Sequence, residues 1–152
     1  MKRRNFLFLL ASCFLAVLCF IFQSLHIASA ADEVDVIVNK SNTIGELTLA
    51  NAQKVFKGEK STWPNGRRVT IFMLAPGQPE RAVILHEIYK MSDAEYSKFF
   101  LEATFSGQVT APPKEASSAA QIKQMVADNP GGIGYIRKSD IDDSVKIVLA
   151  FP

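Results

Sequence analysis

The chain has 152 residues, 48% hydrophobic and 21% charged, with a formal net charge of +2. Without the first 30 residues, 14 basic and 15 acidic side chains remain, a net charge of −1, and the apolar share is about 43%, ordinary for a globular domain. A near-neutral body of this size shows no basic footprint for nucleic acid, no second membrane-length apolar run and no room for two full-sized lobes.

Lys2, Arg3 and Arg4 precede a run from Phe6 to Phe22 in which 16 of 17 residues are apolar. Gln23, Ser24 and His26 then raise the polarity ahead of Ala28-Ser29-Ala30, whose small side chains suit a signal peptidase. This order predicts an export signal over residues 1–30, cleavage before Ala31 and a periplasmic body over residues 31–152. The alternative is an uncleaved anchor, because such a run nearly spans a bilayer. Leu10-Ala11-Ser12-Cys13 matches a lipobox, but the residues after Cys13 stay apolar where a lipidated cysteine should open a polar tether. Cys13 and Cys19 are the only cysteines, so the body has no disulfide, thiol nucleophile or thiolate metal site.

Val34-Asp35-Val36-Ile37-Val38 is short and β-branched and predicts a buried strand. Thr48 is placed to cap a helix from Leu49 to Lys57, with Leu49, Ala52, Val55 and Phe56 on one face and Gly58 at its end. Pro64-Asn65-Gly66 marks a turn, and Val69 to Leu74 a second strand. Pro76-Gly77-Gln78-Pro79 breaks the chain and opens a helix over residues 80–90. Ser92-Asp93-Ala94-Glu95 has capping-box spacing for a helix through Ala103. Residues 106–116 read as irregular. Ser117 or Ser118 then caps a helix ending near Asn129-Pro130, followed by strands over residues 133–136 and 145–150. Strands alternating with helices predict a layered α/β domain.

Catalytic chemistry is scarce. The body's single histidine, His86, sits in a helical stretch and fits a packed or surface role, since metal sites need several convergent ligands. Asp142-Asp143 are adjacent rather than opposed carboxylates, which suits a solvated turn. Pro130-Gly131-Gly132-Ile133-Gly134 lacks the spacing of a phosphate cradle and precedes a strand, not a helix. No enzyme activity, cofactor or metal is expected. Binding is better served, because loops that open helices offer free amides and a positive dipole end. The candidate loops are Lys40-Ser41-Asn42, Gly77-Gln78 and Ser117-Ser118, each of which also suits plain helix capping.

Taken in order, Val36-Ile37-Val38-Asn39, Leu47-Thr48-Leu49, Val55-Phe56-Lys57-Gly58 and Trp63-Pro64-Asn65-Gly66 resemble the phosphate-binding-protein-like family of solute-binding proteins. Asn129-Pro130-Gly131-Gly132-Ile133-Gly134-Tyr135 is similar to that family's entry into a later strand. The resemblance covers nearly all of residues 34–136 and implies one lobe of a type II periplasmic binding fold. In the family, an arginine ends the second strand and a Ser-Gly-Thr triplet opens the next helix to hold phosphate. Aligning Gly77 puts Leu74 at the arginine position and Gln78-Pro79-Glu80 in place of the triplet. Pro79 has no amide hydrogen to donate and Glu80 carries the wrong charge, so phosphate binding in the family's manner is not expected.

Two functions stay open. One is an exported solute-binding-like protein that holds an anion or small ligand weakly, through Ser41, Asn42, Gly77, Gln78 and an exposed Arg81. The other is an interaction module that docks on a membrane transporter or sensor and takes no solute.

Overall fold

The computed structural model describes residues 33–151. The export segment, its cleavage point before Ala31 and the lipobox-like Cys13 lie outside the described residues. Five strands, β1 (Val34–Asn39), β2 (Thr70–Leu74), β3 (Lys114–Ala116), β4 (Gly132–Arg137) and β5 (Val145–Ala150), form one sheet in the order β3-β2-β4-β1-β5. β2 runs parallel to β3 and β4, whereas β1 is antiparallel to β4 and β5. The layered α/β expectation therefore holds.

Side chains alternate across the sheet and divide its two faces. Gly134 and Ile37 are register partners and face α4 (Ala119–Asp128). A Cβ on Gly134 would lie 2.7 Å from Ile122 Cγ2, so only glycine lets that helix lie this close. Asn39 secures the same contact, its Nδ2 donating to the Val126 and Ala127 carbonyls at 3.0 and 2.7 Å. Tyr135 and Met73 point the other way, toward α1 (Leu49–Phe56) and the π-helical turn Leu85–Tyr89 that follows α2 (Pro79–Ile84). There the Tyr89 hydroxyl donates to the Phe56 carbonyl at 2.9 Å and lies 4.0 Å from Met73 Sδ.

The helices start where their caps dictate. Thr48 Oγ1 accepts from the Asn51 amide, and Gly58 follows α1 with φ +78°. Ser92 and Glu95 complete a capping box for α3 (Asp93–Phe105), which runs one half-turn past the expected end. Leu49 is a correction. Its spacing puts it with Ala52, Val55 and Phe56, but it is 39% exposed, while Leu47, just before the cap, is buried and hydrogen-bonded to β5. The first turn of α1 overhangs the core edge that Leu47 fills. A second correction is β3, which lies in the stretch expected to be irregular. Three residues pairing at a sheet edge carry too little pattern to read. A third is the continuous helix expected over residues 80–90, which instead widens into a π turn that sends Leu85, Ile88 and Tyr89 all inward.

Asp35 is the unusual core residue. It is 1% exposed, and neither carboxylate oxygen has a hydrogen-bond partner among the described residues. Burial raises its pKa above the usual carboxylate value, Lys138 opposes the shift and Glu33 adds to it. A raised folded-state pKa means that the folded chain binds this proton more tightly, so stability is lost as pH rises through that pKa. Asp35→Asn should therefore raise the denaturation midpoint at pH 7, with the gain shrinking as pH falls toward 4. An equal gain at both pH values would contradict this.

Candidate functional site

In sheets with parallel strands, ligands collect beyond the strands' carboxyl ends. Here that end of β2 leads into the loop Ala75–Gln78, which opens α2. The Ala75 amide donates to the Ala116 carbonyl, Gly77 turns the chain at φ +88°, and Gln78 is the N-cap without a side-chain capping bond. Pro79 follows at the first helical position, where its missing N–H costs nothing to the helix but offers nothing to a ligand.

The chain closes this end with its own side chains. Arg81 was expected to be exposed, yet it is 1% exposed. Its Nη1 donates to the Leu74 carbonyl at 2.6 Å and its Nε to Asp93 Oδ1 at 2.7 Å, with Glu115 at 3.9 Å. The guanidinium also stacks 4.7 Å from the centre of the Tyr96 ring. The Leu74 amide is satisfied as well, donating to the Tyr135 hydroxyl at 3.0 Å. Glu80, likewise buried, accepts from Arg137 Nε. Arg81 and Arg137 thus meet the carboxylates of Glu80, Asp93 and Glu115. Burial raises the pKa of both the Tyr96 and Tyr135 phenols, so both stay un-ionised.

The five candidate residues do not converge. Gly77, Gln78 and Arg81 follow the carboxyl end of β2. Ser41 and Asn42 follow β1, which runs the opposite way, so they lie at the other end of the sheet, one strand length or roughly 17–20 Å away. Ser41 is occupied locally, with its amide and hydroxyl both donating to Asn39 Oδ1. Asn42 is buried, accepts from the Ile44 amide, and its carbonyl receives Lys146 Nζ at 2.7 Å. Ser117 and Ser118 serve α4 as a cap, through Gln121 Oε1 and the Gln121 amide. His86 is on the surface beside Glu87, and Asp142 holds a turn by accepting from Ser144 and Lys123. Sequence reasoning missed Asp93, Tyr96, Tyr135 and Arg137. Asp93 and Tyr96, three residues apart on one helix face, were the one readable sign of a cation arriving from elsewhere.

The sheet order, the helix opening after β2 and the flanking helix layers resemble one lobe of the type II periplasmic binding fold. No family model matches the chain. Solved structures do. An ABC-type phosphate transport receptor from Vibrio cholerae matches with TM-score 0.62 and 20% identity, over 77% of this chain and 45% of that one. A Clostridium perfringens protein assigned as a phosphate ABC transporter substrate-binding protein, solved with bound phosphate, matches with TM-score 0.62 and 25% identity, over 77% and 44%. PstS from Borrelia burgdorferi matches with TM-score 0.59 and 16% identity, over 78% and 47%. The chain resembles a single lobe of such proteins and spans less than half the length of each.

Proposed function

We propose that the protein is an exported, non-catalytic binding protein of the solute-binding type that takes a small anion weakly and is not a phosphate receptor. The observation that carries this reading is Arg81. Its guanidinium is spent on the Leu74 carbonyl and Asp93, with Glu115 and Glu80 close by, at the place where the resemblance puts phosphate. A dianion entering there loses its hydration and meets Glu80, Asp93 and Glu115 rather than free donors. Each charged hydrogen bond that is not made forgoes about 1.5–3 kcal/mol, and two or three of them amount to several factors of ten in affinity.

Calorimetric titration of the protein with phosphate should show binding no tighter than millimolar. Micromolar affinity would overturn the reading. A second reading, docking on a membrane transporter or sensor without any solute, draws on Leu101 and Phe105. They are one turn apart on α3 and stand 68% and 93% exposed. Crosslinking in intact cells from a Phe105 photoprobe, compared with one at Lys98, tests it: specific capture of a membrane protein supports docking, and equal background at both positions removes it.

A further inference from the structure

At the amino-terminal ends of β2 and β3, away from the Ala75–Gln78 loop, lies a cavity of about 350 Å3 between the end of α1 and the segment 109–114. Val55, Ile71 and Val109 give it apolar walls, and Lys60, Arg68 and Lys114 bring three cations to it. No aspartate or glutamate lines it, and none of the three cations has an ion-pair partner among the described residues. Glu115, the acid next to Lys114, is directed to Arg81 instead. The walls are fixed by the backbone: the Val69 amide donates to the Ser61 carbonyl at 2.9 Å and the Val109 amide to the Ala103 carbonyl at 3.2 Å. Gly58 completes the enclosure, since a Cβ there would lie 2.5 Å from Val109 Cγ1.

We infer that this cavity is a binding site for a small amphipathic organic anion, an apolar body carrying a carboxylate or phosphate head. The volume falls in the range of small-molecule sites, which pair apolar walls with a few polar groups that fix orientation. Three cations that are unpaired among the described residues, with no acid between them, favour an anionic head, and the valine and isoleucine walls favour a body that bare phosphate lacks. The site shares no residue with the β2–α2 loop, so a phosphate titration that revived the loop would leave it standing.

The test uses octanoate and octyl phosphate as probes, with 1-octanol and inorganic phosphate as controls lacking one half of the chemistry. Octanoate or octyl phosphate should shift the methyl resonances of Val55, Ile71 and Val109 and bind at least tenfold more tightly than either control. The stronger of the two identifies the head group. Arg68→Gln with Lys114→Gln, both on exposed side chains, should weaken that binding roughly tenfold or more, while Lys98→Gln on α3 should not. Failure of both anions to bind at 10 mM, equal binding of octanol, shifts confined to residues 77–81, or an unchanged affinity in the folded double variant would each overturn the proposal.

Discussion

Phe56→Ala is expected to cost about 3 kcal/mol or more and to lower the melting temperature by roughly 10 °C. Phe56 is fully buried at the end of α1, and its ring meets Tyr89 edge-on at 6.0 Å. Tyr89 in turn packs edge-on against Tyr96 at 4.9 Å and Phe100 at 6.0 Å. Truncation thus removes a large apolar side chain from the head of an aromatic cluster and leaves a void that neighbours on β2 and α3 cannot collapse into. The Tyr89 hydroxyl still has the residue 56 carbonyl to donate to, so the loss is one of packing rather than of hydrogen bonding. Chemical denaturation reads it directly. An unchanged midpoint would show that this helix face does not carry the core.

That prediction rests on a helix that the sequence displayed clearly, and the reasons are local. Thr48, Ser92 with Glu95, and Ser118 cap the helices that their positions announced, because capping is decided within three or four residues. The β-branched run of β1 and the glycine-flanked β4 are equally local signals. What escaped depends on the third dimension. β3 pairs through only three residues, and nothing in their pattern distinguishes them from loop. The direction of β1 against β2 is not written in either strand, yet that direction alone sends Ser41 and Asn42 to the far end of the sheet from Gly77 and Gln78. The cavity cations come from three separated segments, so no window of sequence shows Lys60, Arg68 and Lys114 together.

The fold of this chain and the chemistry at its β2 end are set by different interactions. Sheet order and helix layers are set by burial, which tolerates any residue that packs. The strand end is set by charge and hydrogen bonding, where one substitution changes the outcome. Leu74 packs into the core with 1% exposure, and the buried cation at this strand end is Arg81, seven residues on. Its guanidinium reaches back to the strand's last carbonyl and ties the start of α2 to the end of β2.

Arg81→Ala should therefore destabilise the protein by about 3–5 kcal/mol while leaving affinity for any anion unchanged. Three losses add up. The Leu74 carbonyl, buried at the end of β2, loses its 2.6 Å donor, and an unsatisfied buried acceptor costs about 1–3 kcal/mol. The stacking on Tyr96 disappears, worth about 1 kcal/mol or more where desolvated. The space of a buried arginine is left unfilled, adding a cavity cost of order 1 kcal/mol. Asp93 and Glu115 contribute little, because side chains 50% and 60% exposed are solvated once their partner has gone. Arg81→Lys should rescue less than half of the loss, since a single ammonium cannot serve the Leu74 carbonyl and Asp93 in the forked geometry that Nη1 and Nε provide. Denaturation midpoints of the two variants, read beside anion titrations, separate a positioning residue from a ligand contact. A variant that keeps its stability and loses anion binding would return Arg81 to the ligand site.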